Sequence, residues 1–116
     1  MKKIIIVDDD ENICIILSKL LEEVGYQTEY TFSGKKGLQL INENKYDFLI
    51  VDYKLDDISG LEILESFNRY HPTKGSIMIS GYADEKTKLK AEKFNTLLFD
   101  KPFNNYDLIS TVNSLI

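Results

Sequence analysis

IIIVDDDEN, residues 4–12, is the stretch from which the rest of the chain is read. Ile4 to Val7 form a short apolar run of the kind that makes a buried strand. Asp8, Asp9 and Asp10 follow it directly, and Glu11 comes next. Packed acids repel one another and resist desolvation. A strand that delivers them to one point therefore needs something there to neutralise them.

Outward from this stretch, strands and helices alternate. The first strand is predicted near residues 3–8 and a helix over 11–24, with Ile13, Leu17, Leu20, Leu21 and Val24 at helical spacing and Gly25 as its stop. Thr28 to Thr31 make a short strand, and Ser33 caps a helix reaching about Asn44, with Leu38 and Ile41 facing in. YDFLIVD, residues 46–52, and SIMIS, residues 76–80, are two further apolar strands, with a helix from Gly60 to Tyr70 between them. A polar helix over 84–93, a strand LLF at 97–99 and a helix from Tyr106 to Leu115 complete the pattern. Five βα units with strands apolar on both faces imply an α/β fold, a doubly wound parallel sheet with right-handed crossovers. Ligands of such sheets bind beyond the carboxyl ends of the strands.

Composition bounds the function. A chain of 116 residues suits one domain, taken as 1–116, with 43% apolar and 28% charged residues. A net charge of −5 argues against nucleic acid binding. No apolar run approaches the ~20 residues of a membrane span, and the one after MKK is too short for a signal peptide. The single Cys14 cannot form an internal disulfide, which fits a reducing, cytoplasmic setting. One cysteine and one histidine make no zinc site, and His71, beside Pro72, reads as a solvated loop residue.

The strand ends carry the chemistry. The first ends in Asp8-Asp9-Asp10, the third in Asp52, the fourth in Ser80 followed by Gly81, and the fifth is followed by Lys101-Pro102. On neighbouring parallel strands these residues share one edge. Several carboxylates there favour a hard divalent cation, Mg²⁺ first and Mn²⁺ as the alternative, which keeps waters and phosphate oxygens as its other ligands. With the cation, a hydroxyl and a lysine in place, one carboxylate can attack a phosphoryl group and become an acyl phosphate.

Taken together, the acidic pair in IIIVDD, the aspartate closing DFLIVD, the hydroxyl in IMISG and the KPF segment resemble the CheY-like receiver domain of two-component response regulators, over essentially the whole chain. The resemblance implies a flavodoxin-like (βα)5 sheet of strand order 2-1-3-4-5. It implies that Asp52 accepts a phosphoryl group from a sensor histidine kinase or phosphotransfer protein. Asp9 would bind Mg²⁺ directly, Asp8 through a metal-bound water, and Lys54 by its backbone carbonyl. Ser80 and Lys101 would contact the phosphoryl group, and the Lys101–Pro102 bond would be cis. The outcome would be a switched surface that meets a downstream protein or output domain. The domain would not be an enzyme beyond self-phosphorylation from phosphodonors and self-dephosphorylation.

The switch is expected to shift the segment from Tyr82 through the fourth helix and fifth strand. The kinase is expected on the first helix around Asn12, Cys14, Ile15 and Ser18. Asp10 and Glu11 suit the start of that helix, and the lysines of the fourth helix suit a solvated face. Asp56 and Asp57 suit a turn, with Asp57 or Ser59 as a helix cap. Five positions depart from the family pattern. Asp56 replaces a frequent Pro, Gly81 a frequent Ala, Phe94-Asn95 a Gly-Ala pair, and Leu98 the Tyr or Phe of the usual rotamer switch. Gly81 is expected to allow fast loss of the phosphoryl group, and Tyr82 to oppose it. Two other readings exist. A phosphohydrolase could use Asp8 in Asp8-Asp9-Asp10 as nucleophile, although Asn12 stands where Thr or Val is usual. A binding module could share the fold without being phosphorylated.

Overall fold

The computed structural model describes residues 1–81 and 84–116, so the expectations for Tyr82 lie outside the described residues. The elements are β1 (Lys3–Val7), α1 (Glu11–Glu23), β2 (Gln27–Thr31), α2 (Gly34–Glu43), β3 (Phe48–Asp52), α3 (Gly60–Tyr70), β4 (Gly75–Ser80), α4 (Glu85–Ala91), β5 (Thr96–Asp100) and α5 (Asn105–Leu115). The strands form one parallel sheet of order β2-β1-β3-β4-β5, the flavodoxin-like order.

Two cores follow from the alternation of side chains along the central strands. Ile4, Ile6, Phe48, Ile50, Ile77 and Ile79 point to the face covered by α1 and α5, against Leu17, Leu21, Leu108 and Val112. Ile5, Val7, Leu49, Val51 and Met78 point the other way, onto Ile41 of α2 and Ile63, Leu64 and Phe67 of α3. β1 beyond Lys3 and all of β3 and β4 are buried, which is why their sequences read as continuous apolar runs.

The helix starts are built by short polar side chains. Asp10 Oδ1 accepts from the backbone N–H of Asn12 at 3.0 Å. Ser33 Oγ accepts from Lys36 at 3.2 Å and Ser59 Oγ from Leu61 at 3.2 Å. Gly25, just past α1, has φ +102°, where a side chain would be strained.

Some local expectations are corrected. α1 buries Cys14, Leu17, Ser18 and Leu21, while Val24 is exposed, so the apolar stripe is rotated from the expected one. Cys14 and Ser18 thus cannot belong to an exposed docking face; Asn12 and Ile15 are exposed. His71 is buried rather than solvated: its ring stacks on Phe67 with centroids 4.7 Å apart, and Nε2 lies 3.0 Å from the Asn44 carbonyl oxygen. α4 is shorter than expected and starts from Asp84, whose carboxylate accepts from Thr87 N at 2.8 Å.

Candidate functional site

Strand register brings the expected residues to one edge. Val7 pairs with Val51, Asp52 with Ile79, and Ser80 with Asp100. Asp8 therefore emerges beside Asp52, and Ser80 beside Lys101. Backbone bonds tie the strand ends together: Lys101 N donates to Ser80 O at 2.8 Å and Tyr53 N to Ile79 O at 2.8 Å. The Lys101–Pro102 bond is cis, as expected.

Asp8, Asp9 and Asp52 each offer a carboxylate oxygen within 4.8 Å of the others. Asp8 is 1% exposed and Asp52 4%. Asp8 Oδ1 accepts from Asp10 N at 2.9 Å, whereas Asp8 Oδ2 is buried with no partner among the described residues. Burial pushes the Asp8 carboxyl up to about 6, with repulsion from Asp52 adding to it and the Asp10 hydrogen bond opposing it. Burial also raises Asp52, and Lys101 opposes that shift from 3.3 Å. Asp9 is raised by its own burial and then by the neighbouring Asp56. A buried, partnerless carboxylate oxygen amid two further acids suits a hard divalent cation, which supplies the missing charge and accepts oxygen ligands.

The loop after Asp52 is tightly held. Lys54 and Ser59 form a short antiparallel bridge, and Gly60 N donates to Tyr53 O at 2.8 Å. A Cβ on Gly60 would lie 2.2 Å from Asp52 O, so α3 starts against the backbone of Asp52 only because residue 60 has no side chain. Beside the acids opens a cleft of about 780 Å³ lined by Lys54, Asp56, Ser80, Gly81 and Thr87, among others. Ser80 is buried, and a Cβ on Gly81 would meet nothing within 4 Å among the described residues.

All six expected residues (Asp8, Asp9, Asp52, Lys54, Ser80 and Lys101) thus lie at this one edge. Leu98 and Phe99 face opposite sides of β5, as alternation requires. Leu98 pairs with Met78 and packs against the core on the α2–α3 face, while Phe99 meets Phe103 edge-on at 6.3 Å. Sequence reasoning missed Asp56, which reads as a turn residue but reaches Asp9. The signal available was an acid where the family pattern often has Pro.

The family model of the response regulator receiver domain matches residues 4–113. Response regulator ArlR of Staphylococcus saprophyticus is 29% identical over 117 aligned positions, covering 100% of this chain and 53% of the relative. The transcriptional regulatory protein ZraR of Escherichia coli K12 is 26% identical, covering 97% of this chain and 26% of the relative. The chain thus spans only part of the curated relatives it matches. Among solved structures, a CheY-like receiver domain protein from Methanospirillum hungatei superposes with a TM-score of 0.91 at 30% identity, covering 98% of this chain and 92% of that one. TrrA of Thermotoga maritima, solved in complex with Mg²⁺-BeF, gives 0.87 at 28% identity, with 100% of both chains covered. Fold, strand-end chemistry and sequence likeness agree: this chain belongs to the response regulator receiver domain family.

Proposed function

We propose that the chain accepts a phosphoryl group on Asp52 from a phosphohistidine of a sensor histidine kinase or phosphotransfer protein. The observation that supports this most directly is the setting of Asp52: a buried carboxylate closing β3, with Lys101 at 3.3 Å on one side and Asp8 and Asp9 on the other. In the transfer, an Asp52 carboxylate oxygen bonds to phosphorus as the phosphorus–nitrogen bond breaks, and the imidazole leaves with that electron pair. Lys101 releases its ion pair with Asp52 and donates to the phosphoryl oxygens instead. Ser80, at the end of β4, donates its hydroxyl to the same group.

Asp8, Asp9, Asp52 and the Lys54 carbonyl would hold Mg²⁺, or Mn²⁺ in its place. Such an ion supplies charge neutralisation for the transferred oxygens. The partnerless oxygen of Asp8 and the clustering of three acids fit that ion. The same site allows self-phosphorylation from small phosphodonors and self-dephosphorylation by water. Drawing Ser80 and Lys101 inward shifts the population of the α4–β5 region. With Leu98 at the usual aromatic position, Ser80 and α4 move without an aromatic rotamer change. The modified surface then meets a downstream protein or an output domain, in the cytoplasm where such kinases present their phosphohistidine. Residues 1–116 act as one receiver domain throughout.

The test is incubation with Mg²⁺ and acetyl phosphate, borohydride trapping, and mapping by mass spectrometry. Modification at Asp52 that is lost with EDTA and in Asp52→Asn is the expected result. An unmodified chain, under conditions that label a known receiver domain, would overturn the reading.

A further inference from the structure

The loop between β3 and α3 carries Asp56, whose carboxylate lies close enough to that of Asp9 to raise it by repulsion and which lines the cleft beside Ser80. Its position is enforced from both sides. The bridge between Lys54 and Ser59 closes the base of the loop, and Leu55 is buried. On the far side Asp57 clamps the loop to the start of α2, accepting from Gly34 N at 3.0 Å, Lys35 N at 2.9 Å and Ser33 Oγ at 3.2 Å. A Cβ on Gly34 would lie 2.7 Å from Asp57 Oδ1 and from Ile58 Cγ1. The absent side chain at Gly34 is what lets the loop seat on the helix. A helix N-terminus is a good place for the Asp57 carboxylate, and three donors use it.

We infer that Asp56 is a fourth anionic group of the cation site, setting how tightly the ion is held, and that Asp57 positions it by clamping the loop to α2. The inference rests on the cation reading of Asp8, Asp9 and Asp52 given above. The three acids with ligand oxygens mutually within 4.8 Å do not include Asp56, so it acts from outside the direct ligands. It acts through its charge and through the waters that such an ion retains. The buried Asp8 oxygen without a partner marks where the ion's charge is needed most. A unit charge roughly 6 Å from a divalent ion in a water-like dielectric changes affinity by about tenfold.

The experiment is calorimetric titration of Mg²⁺ into the unphosphorylated chain at pH 7.5, so that no phosphoryl chemistry enters the readout. Asp9→Asn reports on the parent reading and is expected to abolish binding. Asp56→Asn is expected to weaken binding about tenfold, Asp57→Ala by a similar factor, and Asp57→Asn, which keeps one acceptor oxygen, by less. The double variant Asp56→Asn/Asp57→Ala should bind no more weakly than Asp56→Asn, because both changes act on one charge. Binding by Asp56→Asn within twofold of the parent chain, with binding lost in Asp9→Asn, overturns the inference and leaves the cation site standing. Equal binding by Asp9→Asn and the parent chain overturns both. Fully additive losses in the double variant overturn the positioning role of Asp57.

Discussion

Replacing Asp8 by Asn should stabilise the metal-free protein while removing its response to the cation. Asp8 is held at about 6 in the folded chain against 3.8 when free. Between those values the folded chain binds this proton more tightly than the unfolded chain. Stability from this group is therefore full below 3.8 and is lost as pH rises through about 6. The difference of about 2 pK units corresponds to roughly 3 kcal/mol at pH 8. Asn removes that cost. Its carbonyl oxygen can still accept from Asp10 N, and its amide can donate to the Asp9 or Asp52 carboxylate nearby. The assay is urea unfolding followed by circular dichroism in EDTA, for both proteins, at pH 4.5 and 8. Asp8→Asn should be the more stable by up to about 3 kcal/mol at pH 8, with most of the advantage gone at pH 4.5. Adding Mg²⁺ at a hundred times its dissociation constant should then recover about 2.7 kcal/mol in the parent chain and little in the variant. An Asp8→Asn protein less stable than the parent at pH 8 in EDTA, or a difference that ignores pH, would refute the burial argument.

Four other outcomes are expected. Gly60→Ala forces a Cβ to within 2.2 Å of Asp52 O and should destabilise by about 3 kcal/mol while lowering Asp52 labelling; Gly81→Ala, which meets no described residue within 4 Å, should stay within about 0.5 kcal/mol in the same unfolding assay. Cys14 is buried with its thiol pushed up to about 12 by burial and by Asp8, so iodoacetamide at pH 7.5 should react about a thousandfold more slowly than with a free thiol until urea unfolds the chain. His71→Ala removes the stack on Phe67 and the contact with Asn44 O, and should cost about 2 kcal/mol by denaturant midpoint; a loss under 0.5 kcal/mol would mean the ring is dispensable.

The sequence by itself determined the order of elements and the edge that carries the chemistry. Runs such as IIIV and FLIVD are apolar on both faces, and that pattern is a local property of a buried parallel strand. Acids, a hydroxyl and a lysine at successive strand ends then meet by topology alone. Caps such as Ser33 and Ser59 were legible because they act within three residues of their own position. What only the tertiary structure decided depends on contacts between distant segments or on the phase of a helix. Helix phase turns by about 100° per residue, so a small error in the apolar stripe turned Cys14 and Ser18 outward when they face the core. His71 reads as polar and loop-bound, yet Phe67 and Asn44 bury it from opposite directions in the chain. Asp57 sits just before one helix and caps another, 23 residues away at Gly34. Asp56 lies against Asp9 only because that clamp and the Lys54–Ser59 bridge fold its loop over the acids. Local pattern sets which surface each strand buries. Pairing across long loops sets which charges share a site, and that information exists only once the chain has closed on itself.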